Sequence, residues 1–354
     1  MKQLESLQIG NKTIRIPIFQ GGMGVGVSLS NLAGAVAAAG GVGTLSGVYM
    51  GYREPDFYTD PMTANLRAMD EQIKRARQLA DGGILAINLM VAMNHYDDMV
   101  KQAVASGIDM IVSGAGLPLN LPKLVTDPDV LLVPIVSSAR AAGLICRSWF
   151  RSSGRLPDLV VVEGPLAGGH LGFSPEELKE GVAATLTDIV SAVKDSLKEW
   201  EEKAGRPIPI IAAGGIYDRR DVSQVLEAGA DGVQLGTRFV ATKECDADPA
   251  FKQAYIKAEP DDVRIIQSPV GMPGRAIRND FVKASETGRI PVTRCTRCLA
   301  PCDPKTTPYC ISEALMRSVK GEVDQGLIFC GANAWRIEQI VTVQEIFAEL
   351  TEKK

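Results

Sequence analysis

Eight short runs of β-branched and aliphatic residues recur along this chain, and longer helix-like stretches lie between them. The runs are Ile14 to Ile18, Val42 to Leu45, Leu85 to Leu89, Met110 to Ser113, Leu131 to Val136, Leu159 to Glu163, Ile208 to Ala212 and Gly232 to Leu235. The helix-like stretches between them are Leu29 to Ala39, Ala64 to Ala80, His95 to Ala105, Leu119 to Val125, Arg140 to Phe150, Pro175 to Lys203 and Arg220 to Ala228. Strands that are apolar throughout, rather than at alternate positions, are covered on both faces, which requires a parallel sheet between helices. Eight such units in roughly 240 residues predict an α/β fold, a closed (β/α)8 TIM barrel. The rival is an open doubly wound sheet, which calls for a glycine fingerprint after the first strand and an acidic residue on the next. FQGGMGVG followed by VGTLSG lacks that pairing.

The repeat stops after Phe239. The expected division is a barrel over residues 1–243 that binds the ligand and a cap or lid over residues 244–354, in which Pro249 to Ala258, Ser312 to Lys320 and Val343 to Glu352 are helix-like. The last of these is expected to pack on the barrel exterior. With 354 residues, 45% hydrophobic and only 5% aromatic, the chain can bury a large aliphatic core. The net charge is −4, with basic and acidic residues mixed, so no positive field is available for a nucleic-acid backbone. Apolar stretches such as Leu32 to Val42 are cut by glycine well short of the ~20 residues that span a bilayer, and MKQLESLQIGNKTIRI has no signal-peptide core. Seven cysteines, an odd number, suit a reducing cytoplasm better than a disulfide framework. A homodimer is one candidate assembly.

A barrel of this kind carries its site at the carboxyl ends of the strands. Gln20, Gly21, Gly22, Met23 and Gly24 follow the first strand, Asn88 ends the third, Ser113, Gly114, Ala115 and Gly116 follow the fourth, and Ser137 follows the fifth. Such loops let the backbone approach a flat ligand. Ala213, Gly214 and Gly215 follow the seventh strand, and Gly236 and Thr237 the eighth. In barrels this pair of loops commonly builds a phosphate site from backbone N–H groups, a hydroxyl and the positive end of a short helix. A tight turn explains any single Gly-Gly pair; two glycine loops on adjacent strands, with Thr237 in place, favour phosphate. The sixth strand ends in VVEGPLAGGHLG, so Glu163, Gly168 and Gly169 lead to His170, one of only two histidines. A loop of small neighbours suits an imidazole facing a ligand, where a near-neutral pKa would allow proton exchange. His95, at the start of a helix, reads as structural.

CTRCLAPCDPKTTPYC sets Cys295, Cys298, Cys302 and Cys310 at C-x2-C-x3-C-x7-C spacing. Thiolates grouped this tightly can hold an iron–sulfur cluster or zinc, with the cluster ahead because no histidine lies nearby. A reduced, partly buried loop and a redox-active Cys295–Cys298 pair remain as alternatives. Cys330 is a further candidate ligand; Cys146 and Cys245 read as small apolar residues.

The order PIFQGGMG, NLM, SGAGLP, EGPLAGGHLG, IIAAGGI and GVQLGTRF, from about Ile14 to Phe239, resembles the nitronate monooxygenase family, formerly called 2-nitropropane dioxygenases. The same superfamily includes the flavin-dependent enoyl-acyl-carrier-protein reductases. The resemblance implies a barrel with a smaller cap and an FMN cofactor. Gly21, Gly22, Met23 and Asn88 would then border the isoalloxazine, with Gln234 reaching it from the eighth strand. Gly214, Gly215, Gly236 and Thr237 would take the phosphate, and His170 would face the substrate. The remaining strand-end residues, Ser113, Gly114, Ser137, Glu163, Gly168, Gly169 and Ala213, would complete the cofactor set. The activity so implied is oxidation of alkyl nitronates with O2. Alternatives are reduction of enoyl thioesters or quinones with NAD(P)H, which needs no dedicated nicotinamide fingerprint, and electron transfer through a cysteine-bound cluster. A phosphate-binding barrel without flavin fits the glycine loops but not the motif order. The cysteine-rich tail departs from the simpler members of the family.

Overall fold

The computed structural model describes residues 2–352. A hairpin of β1 (Leu7–Ile9) and β2 (Lys12–Ile14) turns through Gly10 and Asn11, with Gly10 at φ +58°. Eight parallel strands follow: β3 (Ile18–Gln20), β4 (Val42–Ser46), β5 (Ile84–Met90), β6 (Met110–Gly114), β7 (Leu131–Val136), β8 (Val160–Glu163), β10 (Ile210–Ala213) and β11 (Gly232–Leu235). They close in the order β10-β11-β3-β4-β5-β6-β7-β8, as expected of a (β/α)8 barrel. Around them lie α1 (Ser30–Ala38), α2 (Pro61–Leu79), α3 (Tyr96–Ala105), α4 (Leu121–Leu124), α5 (Ala139–Ser153), α7 (Leu186–Ala204) and α8 (Arg219–Glu227).

The expected first strand, Ile14 to Ile18, divides. Ile14 closes the hairpin, and the barrel strand starts at Ile18, after Pro17, which has no N–H to donate and instead accepts from the Val233 N–H through its carbonyl. Ile9 and Ile14 pack with Phe19, Val42, Met110, Val133, Val161 and Ile211 in an apolar cluster separate from the main core. Four of those strand residues lie at or near the amino ends of their strands, so the hairpin plugs the barrel floor and leaves the opposite mouth for chemistry. The close approach of α1 to the sheet explains Gly43: a Cβ there would sit 1.8 Å from the Ala33 carbonyl oxygen.

The single helix expected over Pro175 to Lys203 is two. A capping box at Ser174 starts α6 (Pro175–Glu180), Gly181 ends it in the left-handed region at φ +66°, and Thr185 caps α7 by accepting from the Asp188 N–H. After α9 (Thr237–Val240), the chain adds α10 (Pro249–Ile256), α11 (Asp280–Thr287), α12 (Ile311–Val319) and α13 (Val343–Thr351). It also builds something the helix-like reading of this tail omitted. Strands β12 (Val263–Gln267) and β13 (Pro273–Ile277) form an antiparallel sheet with β9 (Gly169–His170), pairing Gly274 with His170 and Arg275 with Gly169. The tail therefore grips the histidine loop through backbone hydrogen bonds. Helix α13 packs against α1 and α8 on the barrel exterior, with Phe347 against Gly41. No helix among the described residues is long and apolar enough to cross a membrane.

Candidate active site

A cavity of about 420 Å³ opens at the carboxyl ends of the barrel strands. Gly21, Gly22, Met23, Asn88, Gly114, Ser137, Glu163, Gly168, Gly169, His170, Ala213, Gly214, Gly215, Gln234, Gly236 and Thr237 all line it. Of the expected set, only Ser113 is absent. Its hydroxyl is buried behind the wall, donating to the Leu89 carbonyl at 3.1 Å and paired with the Tyr96 hydroxyl at 2.8 Å, so Ser113 supports the strand from outside the cavity lining.

The floor is tightly fitted. A Cβ on Gly22 would come within 2.3 Å of the Asn88 Cβ, and one on Gly24 within 2.6 Å of the Ser46 Oγ. The Ser46 hydroxyl lines the cavity, is buried and has no partner among the described residues, as befits a wall that meets a polar ligand edge. Gln20 fixes the first loop from beneath, donating to the Ser28 hydroxyl at 2.7 Å and accepting from the Thr44 N–H at 3.1 Å.

At the other end Gly214 and Gly215 both have positive φ, +99° and +87°, a conformation that favours glycine. A Cβ built on Gly236 would meet only the Met23 side chain, at 3.5 Å from its sulfur, an ordinary van der Waals contact. The Asp218 carboxylate caps α8, accepting from the N–H groups of Arg220 and Asp221, and pairs with Arg336 at 2.8 Å. The short helix α9, by contrast, starts at Gly236 with no side-chain cap. The C-terminal tail adds to this end. Thr237 Oγ1 accepts from the Gly331 N–H at 2.9 Å, and Asn333 donates to the Gly215 carbonyl at 2.7 Å. Gly331 and Asn333 line the cavity, and their spacing within the tail carries no signal that sequence reading could use.

His170 stands on the wall with Nε2 2.7 Å from the Ser268 Oγ and its ring edge-on to Phe329 at 5.0 Å. Ser268 Oγ also accepts from the Val270 N–H at 3.3 Å; in the tautomer with the ring proton on Nδ1 the hydroxyl donates to Nε2, and in the other it accepts from it. The near-neutral pKa expected for this histidine does not hold: burial lowers it to about 4, so the imidazole is neutral at physiological pH. Glu163 is displaced the other way. Burial raises its carboxyl to about 8, against a smaller opposing pull from the Arg275 guanidinium.

These two shifts make a testable contribution to stability. Between pH 4.5 and 8 the folded chain keeps a proton on Glu163 that the unfolded chain has lost, so this group makes stability fall as pH rises. His170 acts oppositely between pH 4 and 6.5, where only the unfolded chain is protonated. From pH 6.5 to 8 Glu163 acts alone. Urea denaturation at these two pH values is expected to show a loss of roughly 2 kcal/mol that Glu163→Gln removes; an undiminished loss in the variant would contradict the assignment.

The cysteine-rich loop forms one wall. Cys298 and Leu299 line the cavity, Cys295 is exposed, and Cys302 and Cys310 are half-buried. Among the described residues no three His, Cys, Asp or Glu side chains converge to hold a metal ion, and this covers the expected ligands Cys295, Cys298, Cys302 and Cys310 and the further candidate Cys330. Backbone pairing organises the loop instead: Asn94 N–H donates to the Cys298 carbonyl at 3.0 Å, Ala300 N–H to the Ala92 carbonyl at 3.0 Å, and the Asn94 amide to the Arg297 carbonyl at 2.6 Å. Tyr49, which also lines the cavity, bonds its hydroxyl to Thr296 and lies beside Cys298 and Ser312. Burial raises the Cys298 thiol, which stays protonated.

A family model described as nitronate monooxygenase matches residues 5–353. The chain belongs to the nitronate monooxygenase family. It is thus an oxidoreductase, and membership implies a flavin. The chain is 28% identical over 275 residues to the (3aS,4S,5R,7aS)-5-hydroxy-7a-methyl-1-oxo-octahydro-1H-indene-4-carboxyl-CoA dehydrogenase of Mycobacterium tuberculosis; the match takes in 78% of this chain and 66% of the relative, just under two thirds. It is 24% identical over 371 residues to a probable nitronate monooxygenase of Bacillus subtilis, with 95% of each covered. Among solved structures, FabK from Thermotoga maritima superposes with TM-score 0.72 at 26% identity, covering 94% of this chain and 91% of that one. A nitroalkane oxidase from Streptomyces ansochromogenes gives 0.71 at 21% identity, with 94% of each covered, which speaks to the fold alone.

Proposed function

We propose that this family member binds FMN in the barrel-mouth cavity and reduces an uncharged, conjugated acyl thioester. The observation that carries the substrate choice is the charge of the wall. Among the described residues no Lys or Arg lines the cavity, and its one histidine is neutral. A nitronate anion brought there would lose its hydration without a cationic partner, which costs several kcal/mol. A neutral enoyl group meets Met93, Leu299, Ile311, Leu315 and Phe329 without that penalty. The CoA thioester named for the mycobacterial relative is in keeping with this choice.

The fitted floor at Gly22 and Asn88, the unpartnered Ser46 hydroxyl and the uncapped start of α9 at Gly236 suit a flavin ring at one end and its phosphate at the other. Bound FMN supplies the two-electron transfer. The chain's own residues position and protonate. His170, in the tautomer whose Nε2 accepts from Ser268, presents Nδ1–H to the thioester oxygen and stabilises charge developing there, as a neutral imidazole can. Glu163, protonated at neutral pH, holds the proton that the product carbon requires. The apolar wall keeps water out. Quinones share the uncharged conjugated carbonyl, and NAD(P)H is the candidate reductant.

The second reading, nitronate oxidation with O2, is favoured by the family's name and by the Bacillus relative. Anaerobic mixing separates the two. Dithionite-reduced protein is expected to recover its oxidised absorbance on adding crotonyl thioester, while oxidised protein stays unbleached by ethyl nitronate. Bleaching by the nitronate with no response to the thioester would overturn the proposal.

A further inference from the structure

The chain carries a net charge of −4, yet the loop from Gly288 to Cys310 holds Arg289, Arg294, Arg297 and Lys305 against Asp303 alone. Arg289 is committed to structure, donating to the Thr307 carbonyl at 3.0 Å and the Pro304 carbonyl at 2.7 Å. Asp303 accepts from the Lys305 N–H at 2.9 Å. The other three cations are exposed, and none of them has a carboxylate within 4.0 Å among the described residues. Arg294 stands over the Tyr58 ring, its Cζ 3.7 Å from the ring centroid, a cation–π contact that helps hold the guanidinium in place. Arg297 is held by its backbone, whose carbonyl accepts from Asn94, and the next two residues, Cys298 and Leu299, are cavity wall. Arg297 thus adjoins an apolar interior, with Arg294 and Lys305 exposed on the same loop. Leu117, 40% exposed and also lining the cavity, shows that apolar wall continuing outward.

We propose that this loop recognises the phosphate end of a coenzyme A thioester, with Arg294 and Arg297 as the principal contacts and Lys305 assisting. The inference rests on the thioester reading above. A ligand that is apolar at one end and polyanionic at the other matches this wall and loop, and a short free acid or quinone would leave the loop cations unused. Guanidinium groups pair with phosphate oxygens through two parallel N–H donors, so a loop that presents Arg is suited to a diphosphate.

The test measures binding of CoA, dephospho-CoA and pantetheine to the flavin-loaded protein by calorimetry. Arg294→Glu/Arg297→Glu is expected to weaken CoA about tenfold, dephospho-CoA less, and pantetheine not at all, with the wild-type affinity for CoA falling as salt rises. Both side chains are exposed, so the fold is expected to survive, and an unchanged flavin spectrum checks this. Equal weakening of CoA and pantetheine, or no CoA binding by the wild type, overturns the proposal. So does binding of acyl carrier protein but not of CoA. If CoA binds as expected while no thioester reoxidises the reduced protein, the loop contact stands and the thioester reaction fails. If pantetheine thioesters react and CoA does not bind, the reverse holds.

Discussion

Replacing His170 by Ala lowers turnover by about a hundredfold or more while leaving the flavin bound. The loss follows from removing the one ring N–H on the wall that is set by a second bond, the 2.7 Å contact to Ser268, and general acid–base or hydrogen-bonding groups so placed contribute ~10²–10⁴. Flavin is retained because the expected phosphate end, at Gly214, Gly215, Gly236 and Thr237, is tied together by Gly331 and Asn333 without His170. Ser268→Ala frees Nε2 and lets the ring proton choose either nitrogen; a smaller loss, about tenfold, is expected, with a displaced acidic limb in the pH profile. Single-turnover reoxidation of the reduced protein, alongside its flavin content, reads both effects. Loss of flavin from His170→Ala with unaltered turnover of the remainder would remove the histidine from the reaction.

Gly22→Ala is expected to abolish or greatly weaken flavin binding, by at least about tenfold. A methyl group there would stand 2.3 Å from the Asn88 Cβ, an atom fixed to its backbone, so either the loop after β3 or the carboxyl end of β5, which flank β4 in the barrel, must move. Overpacking of this kind costs ~1–3 kcal/mol, and here the displacement falls on the floor under the ligand. Gly143→Ala is the matched control. It lies inside α5 with nothing within 4 Å of a built Cβ, and it should stabilise the chain slightly, by ~0.5–1 kcal/mol, with flavin binding unchanged. Equilibrium titration with FMN compares the two variants. Equal affinities would mean that the ligand does not rest on Gly22 and Asn88.

The barrel was legible because its signal is local. Buried strands such as Val160–Glu163 and Ile210–Ala213 are apolar on both faces, and the helices between them carry their own caps. The strand-end glycines were legible for the same reason, since their place after each strand puts them at one mouth. Boundaries set by tertiary partners were not. Ile14 and Ile18 form one β-branched run, and only the hairpin's fit into the barrel floor separates them. The β12 and β13 strands are short and gain their meaning by pairing with β9, a contact that spans roughly a hundred residues of chain. Gly331 and Asn333 were hidden likewise, because a distant tail bonds Thr237 and Gly215.

Side-chain roles were the least legible. Ser113 follows a strand like its neighbours Gly114 and Ser137, yet its hydroxyl turns to Tyr96 and Leu89. A histidine in a glycine loop looks open to water, and only the packing of Phe329 and Ser268 shows why it is held neutral. The cysteine spacing is compatible with a metal, but backbone pairing with Ala92 and Asn94 shapes the loop into a cavity wall instead.

The central claim is that the barrel-mouth cavity holds FMN, and the most direct test is to release the bound cofactor by heat, identify it by chromatography and count it per chain. Close to one FMN per chain, in protein as purified or after supplementation, is the predicted result. A protein that stays colourless and takes up no FMN would contradict the account.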